Sequence, residues 1–386
     1  MQLFKSGLKA LLVFSLLVFT ASEVAAVKPD GKPGGKPPPK DDSCTGLVAP
    51  DYVFWRDART KGKNRMAQVA VYVAESGTDC EAWLLDIPLP EGPINDLKLT
   101  FSSVVVDGEF ILGRIVWRTE IVDGAYSVWT HDFTINEGSV DGGDGPIMIM
   151  ENTGEKDLLI YDLDLSPDTQ SLVYRLVEYD DRPYYSISSI HKVEIEVCLL
   201  DTCEFDENPP IYSGEDTPDT YFSLRSPVFG PLGNRVYFVE RWGPYSYDIN
   251  AIDISSEPLV AETLVTLNLD EDPDNASYVR EISSGIGYVW PGAKEYLTVS
   301  IGELHTHGCA FVYSLDVDAC KTGCASTALI PMFAGIWPSW TRNGRIIHTH
   351  QGMAMKDNCT TDTVGSWDGT NLETLLKGYE PEAAGG

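Results

Sequence analysis

From residue 45 onward, apolar side chains fall in short alternating or aromatic-rich runs, and turn-forming residues separate the runs. The runs are Gln68–Ala74, Phe110–Trp117, Leu158–Leu163, Ser171–Leu176, Val193–Leu200, Arg235–Val239, Glu295–Ile301 and Ala310–Leu315. Val, Ile, Tyr, Phe and Trp fill them, the residue types that pack best on a half-buried pleated surface. Helical periodicity is scarce, and Asn371–Lys377 is the stretch whose pattern predicts a helical turn. The predicted fold class is all-β.

The runs repeat. Leu165–Tyr174 (LSPDTQSLVY), Ser226–Phe238 (SPVFGPLGNRVYF), Gly287–Leu297 (GYVWPGAKEYL) and Pro338–Ile347 (PSWTRNGRII) share one layout. Each is a short strand, a tight turn carrying Pro, Asp, Asn or Gly, and an apolar strand. Such turns need residues that tolerate left-handed backbone, which Leu232-Gly233-Asn234 and Asn343-Gly344 supply. A third strand follows in Ile249–Ile254 and Phe311–Asp316. The turns recur near residues 108, 169, 233, 292 and 344, and one more unit fits between residues 45 and 90. Six four-stranded antiparallel units predict a six-bladed β-propeller, whose sheets bury both faces against their neighbours. Two β-sandwich domains would not carry the same signature in every unit.

The segments SPVFGPLGNRVYFVE, LSPDTQSLVYRL and PSWTRNGRIIHTH resemble the "P-x-W-S-P-D-G-x-x-I-x-F" repeat of TolB-like (WD40-like, PD40-type) propellers. Gly365–Leu376 is similar to the "D-G-T-N-x-x-x-L" turn that closes a blade in them. The first unit lacks the turn signature, and the fifth has Trp290-Pro-Gly-Ala in its place. The resemblance implies the six-bladed fold. It implies little about activity, because the repeat residues serve turns and packing.

Residues 1–26 read as a secretory signal peptide. Lys5 and Lys9 precede the apolar run Ala10–Ala21, and Val24 and Ala26 suit cleavage after Ala26. Residues 27–43 form a flexible Pro/Gly/Lys-rich linker, and 44–386 the propeller. The mature chain carries no transmembrane segment by this reading, since the apolar run is too short to span a bilayer and is removed. Composition narrows the partners. With 58 Asp plus Glu against 28 Lys plus Arg, the net charge of -30 excludes a nucleic-acid surface, which needs a basic footprint. It also disfavours docking on anionic lipid.

Eight cysteines in an exported chain favour disulfides. Cys198 and Cys203 flank a short LLDT turn that a bridge could close. Cys320-Lys-Thr-Gly-Cys324 has nearly a zinc-knuckle spacing, but an oxidising compartment favours a disulfide there too.

Two His-x-His pairs are the sharpest chemical signal, His305-Thr-His307 and His348-Thr-His350. An extended backbone puts both imidazoles of a pair on one face. With Gln351 they are candidate ligands for a transition metal. Oligogalacturonate lyases resemble TolB-like propellers and hold a divalent metal with His and Gln, so His348, His350 and Gln351 imply an alternative function, a metal-dependent enzyme of polysaccharide-lyase type. Asp270, Asp272, Asp274 and Glu281 have the spacing of a calcium loop, without its glycine or its flanking helices. His131 and His191 read as strand-edge residues. Trp242, Tyr245, Tyr247 and Trp337 are candidate contact residues at blade ends, whereas Trp340 occupies a packing position. No Gly-x-Ser-x-Gly elbow, His-Glu-x-x-His helix or Walker loop occurs. The leading expectation is a non-catalytic exported binding or scaffold propeller, bacterial and either periplasmic or extracellular. It would engage a protein or polysaccharide ligand as a monomer or as part of an envelope assembly.

Overall fold

The computed structural model describes residues 52–57, 66–74, 80–88, 98–106, 110–120, 126–136, 139–152 except 144, 158–179, 185–269 except 218 and 219, 277–287, 294–303, 310–340, 346–354, 358–367, 372–377 and 379–383. All of these fall in one compact unit, Asp41–Gly386. The signal-peptide and linker readings lie outside the described residues.

Antiparallel strands follow one another in groups. The first sheet holds β1 (Tyr52–Asp57), β2 (Met66–Ala74) and β3 (Cys80–Pro88). The second holds β4 (Lys98–Val106), β5 (Phe110–Glu120), β6 (Tyr126–Asn136), a short β7 (Ser139–Asp141) and β8 (Ile147–Glu151). In the third are β9 (Leu158–Leu165), β10 (Ser171–Tyr179), β11 (Ser186–Glu194) and β13 (Tyr212–Asp216), while the short β12 (Cys203–Glu204) pairs with β8. The fourth is β14 (Ser223–Phe229), β15 (Arg235–Arg241), β16 (Ser246–Asp253) and β17 (Ala261–Asn268).

A seven-stranded path then runs through β18 (Ser277–Gly287), β19 (Lys294–Glu303), β20 (Ala310–Asp316), β21 (Ile330–Trp340), β22 (Ile346–Ala354), β23 (Asn358–Trp367) and β24 (Leu372–Lys377). Within it β21 serves two groups of four. Its first half pairs with β20 and its second half, from Gly335, with β22. The last strand, β25 (Tyr379–Ala383), returns to pair with β1 and makes the first sheet four-stranded.

Three core clusters lie between consecutive sheets, and a fourth, with Tyr296, Val312, Trp340 and Ile346, lies within the seven-stranded path. Val116, Val128 and Ile149 of the second sheet meet Ile160, Leu172 and Tyr174 of the third. Val173 and Ile190 of the third meet Leu224, Phe229 and Val236 of the fourth. Tyr237, Val239 and Leu264 of the fourth meet Val279, Leu297 and Leu315 beyond it. Alternate residues of β10 thus face opposite neighbours, which is why a strand buried on both faces is nearly all apolar. The initial strands also touch in succession: β4 with β9, β9 with β14, β14 with β18, β18 with β21, β21 with β25, and β25 with β4. Gly285 on β18 permits one such approach, since a β-carbon there would lie 2.3 Å from the Trp340 ring. Trp340 is buried, in agreement with its packing position.

The repeat turns form as predicted between β9 and β10 and between β14 and β15. Thr169 and Gly233 occupy the same place with φ of 66° and 71°. Matching bonds hold the two turns, Thr169 N–H to Ser166 O at 2.9 Å and Gly233 N–H to Gly230 O at 2.8 Å.

Two expected elements differ. Val193–Leu200 is not one strand: β11 stops at Glu194, and Ile195–Leu200 forms the short helix α1. Its buried residues, Ile195 and Cys198, stand one helical turn apart, and a Cys198–Cys203 disulfide closes the following bend. Conversely, the helical turn expected at Asn371–Lys377 is strand β24 over Leu372–Lys377, because pairing with β23 overrides local spacing. Cys320 and Cys324 also form a disulfide. The Cys324 N–H bonds Leu264 O at 2.7 Å and fastens that loop to β17. Among the described residues no cysteine is free.

Candidate functional site

Between the third and fourth sheets lies a cavity of about 450 Å³. Tyr161 and Asp162 of β9, Arg175, Val177 and Tyr179 of β10, and Ser186 and Ser188 of β11 line one side. Asp216, Phe222, Ser223, Arg225 and Ser226 line the other, and Arg280 reaches it from β18.

Local irregularities in the inner strands shape this lining. Both β9 and β14 carry a register shift, at Tyr174/Leu176 against β9 and at Arg225/Val228 within β14. An extra residue bends the strand and re-aims its groups. Ser226, at the second shift, adopts a φ of 46° and donates its N–H to Asp162 Oδ2 at 3.1 Å. Asp162 Oδ2 also lies 3.6 Å from Arg175 Nε. The Arg175 guanidinium sits 4.3 Å from the Tyr161 ring centroid and donates through Nη1 to Leu224 O. Tyr161 and Tyr179 bond hydroxyl to hydroxyl at 2.8 Å. Burial raises the Tyr161 hydroxyl above its ordinary range, and the bond to Tyr179 adds to the rise.

Arg225 is less committed. Its Nε donates a long bond to Ser223 Oγ at 3.5 Å, and among the described residues it forms no ion pair. Burial holds its guanidinium below the usual arginine range. The nearby cations of Arg175 and Arg241 push the same way, while Tyr247 and Asp162 push back. The lining therefore offers three guanidinium groups, an aromatic wall and several hydroxyls. Its other polar members are Asp162 and Asp216. A Ser–His pair does exist elsewhere, Ser189 Oγ to His191 Nε2 at 2.8 Å, with His191 Nδ1 on Asn208 O. Both side chains are buried within the third sheet and neither lines the cavity.

The candidate contact residues separate. Trp242 is 47% exposed in the turn between β15 and β16, and Tyr245 in the same turn is half-buried. Arg241 pins that turn by donating to Gly243 O at 2.9 Å and Pro244 O at 3.0 Å. Its guanidinium also lies 5.9 Å from the ring of Tyr221, next to Phe222 of the cavity. Tyr247 is corrected: it is 1% exposed and belongs to the core shared with β18 and β19. Trp337 lies in β21 beside a register shift.

His348, His350 and Gln351 lie inside β22, whose pairing with β23 continues to Ala354. Register sets His348 opposite Gly365 and His350 opposite Gly335 and Thr363. His305, His307, Asp270, Asp272 and Asp274 lie outside the described residues. Glu281 stands within β18, opposite Ser300, so the twelfth position of the calcium-loop reading falls in a strand. Among the described residues no group of three or more His, Cys, Asp or Glu could hold a metal ion. His131 and His191 are also corrected. Both are buried inside their strands, each one residue past the end of a second pairing, since β6–β8 pairing ends at Thr130 and β11–β13 pairing at Ile190.

The three arginines were missed. Arg175 had a signal, a charge in the middle of the apolar run SLVYRLVEY. Arg225 and Arg280 had none, because the topology alone brings β14 and β18 to β10.

No family model matches the chain, and no curated protein matches its sequence. Solved structures resemble it at low identity, and they include β-propeller-like proteins. TolB from Acinetobacter baumannii is 13% identical with a TM-score of 0.47, over 86% of this chain and 66% of that one. Prolyl oligopeptidase B from Galerina marginata is 10% identical with a TM-score of 0.41, over 85% of this chain and 48% of that one. The periplasmic gluconolactonase of Pseudomonas aeruginosa is 11% identical with a TM-score of 0.43, over 86% and 97%. The chain thus spans two thirds or less of the length of the first two.

Proposed function

We propose that residues 44–386 form a six-bladed β-propeller closed by β25 on β1, and that it is an exported, non-catalytic scaffold. It binds a protein or polysaccharide ligand at the end of the sheets where the arginine-lined cavity opens. The groups of four antiparallel strands support the propeller, as do the initial-strand contacts that return from β25 to β4. Export rests on the signal-like residues 1–26 and the cysteine pairs. The observation that carries the function is the cavity, a concave site with convergent polar groups on a rigid framework. The exposed Trp242 follows Arg241, which pairs with Ser223 of the cavity wall.

The test immobilises the intact protein and compares retention of envelope proteins and polysaccharides with that of an Arg225→Met/Trp242→Ala variant. Material retained by the wild type and lost by a folded variant is the expected result. Equal retention by both would remove the site, and no specific retention by either would remove the scaffold reading.

A further inference from the structure

Resting on that reading of the cavity as the binding site, we infer that it takes an oxyanion of the ligand, a carboxylate or a phosphate, with Arg225 as the main contact. The contrast of charge is the first ground. In a chain with 58 acidic and 28 basic residues, this lining carries three arginines against two aspartates. Those aspartates are already engaged within the protein. Asp162 accepts the Ser226 N–H and faces Arg175, and Asp216 Oδ1 accepts the Phe222 N–H at 3.2 Å.

Arg225 supplies the second ground. It is largely withdrawn from solvent and among the described residues forms no ion pair, so the charge of Asp162 offsets its desolvation only in part. An arriving oxyanion supplies the missing counter-charge. The planar guanidinium presents a fork of N–H donors that matches two oxygens of a carboxylate or phosphate, and partial burial strengthens the contact. Arg175 is the anchoring cation of the group, held by Leu224 O, Asp162 and the Tyr161 face, and it keeps the local potential positive. Ser186 and Ser223 add hydroxyl groups to the wall.

Calorimetric titration of the intact protein at low ionic strength, with inorganic phosphate in one arm and citrate in the other, tests this. Saturable one-to-one binding of either anion is expected, weakened at least tenfold by Arg225→Met and less by Arg225→Lys, which keeps the charge but loses the fork. Binding of phosphate alone assigns a phosphate-bearing ligand, and binding of citrate alone a carboxylate-bearing one. Should Arg225→Met fail to fold, Arg280→Met takes its place with the same expected direction. No binding of either anion at millimolar concentration, or binding unchanged in a folded variant, overturns the inference. If envelope material is still retained in that case, the oxyanion inference alone falls. If retention fails as well, the scaffold reading falls with it.

Discussion

The β9–β10 and β14–β15 hairpins have the same turn and the same register, yet they build opposite kinds of seam. Counting outward from the matched turn residues Thr169 and Gly233, Arg175 corresponds to Val239. On the inner strands, Asp162 corresponds to Ser226 and Asp164 to Val228. Val239 is fully buried in a cluster with Tyr247, Val279 and Leu297, and that seam is packed shut. Arg175 stands at the edge of a cavity. The architecture accepts an apolar residue at this position and gains from burying it, by roughly 25 cal/mol for each Å² withdrawn from water. A guanidinium there is therefore not a requirement of folding. Its presence in one seam marks that seam as the place where recognition was favoured over packing.

The largest effect comes from erasing the difference in the wrong direction. Val239→Arg would place a cation in a cluster of apolar and tyrosine side chains, and the loss should reach about 3–5 kcal/mol, the scale of an unpaired buried charge. Denaturant unfolding measures it. A loss below about 1 kcal/mol would mean that the fourth seam yields to a charge as readily as the third, and the contrast would collapse.

Asp164 sharpens the comparison through pH. Its Oδ2 accepts the Phe229 N–H at 2.7 Å and its Oδ1 the Thr100 hydroxyl at 3.2 Å, so one carboxylate links the initial strands of three sheets. Burial pushes its pKa from 3.8 to about 6 against the pull of those bonds. Between these two values the folded state binds more protons than the unfolded state, so this group's contribution to stability falls as pH rises. It is most favourable below 3.8 and fully lost above 6, a span of about 3 kcal/mol at 1.36 kcal/mol per unit. His131 and His191 act the other way, because burial lowers both, and acidification below 6.5 favours the unfolded chain. Asp164→Asn isolates the carboxyl. The unfolding free energy of the wild type should gain on that of the variant as pH drops from 6.5 to 4, and a flat difference would remove the assignment. Asp164→Ala, which leaves the Phe229 N–H without its acceptor, should cost about 1–3 kcal/mol at pH 4, where the folded-state carboxyl is protonated and no ionisation penalty is relieved.

Residues that act locally were legible. Pro167-Asp168 and Gly233-Asn234 announce their turns because a tight turn is decided by the backbone preferences of the residues in it. The apolar run Ile195–Leu200 was not, since length and composition suit a strand as well as a short buried helix, and the Cys198–Cys203 link decides only in three dimensions. Leu372–Lys377 failed for the converse reason, a helical spacing captured by a neighbouring strand. The site was half-visible at best. Arg175 disrupts an apolar run and could have been noticed, but its meaning depends on Arg225 and Arg280, which lie on other sheets.

A smaller effect is expected when the third seam is made like the fourth. Arg175→Met removes the contact with Tyr161, the bond to Leu224 O and the 3.6 Å pairing with Asp162, which is partly exposed and keeps the Ser226 N–H, but it also removes a desolvated cation, so stability should change by less than about 1 kcal/mol in either direction. Anion affinity should still fall several-fold in the same calorimetric titration. A severe loss of stability would show that Arg175 holds the two sheets together, and the functional reading of the seam would weaken.

The smallest change in stability should come from Trp242, and it separates two aromatics that sequence alone could not. Trp242 and Tyr247 flank one hairpin end, five residues apart, yet one is 47% exposed and the other 1%. The turn does not depend on the indole, because Arg241 holds Gly243 O and Pro244 O. Trp242→Ala should therefore leave the unfolding free energy within about 0.5 kcal/mol of the wild type while lowering ligand retention. Tyr247→Ala, which opens a cavity in the packed seam, should cost about 3–5 kcal/mol. If Trp242→Ala destabilised the protein as much as Tyr247→Ala does, the indole would be packing rather than recognising. Binding would then rest on the arginines of the third seam alone.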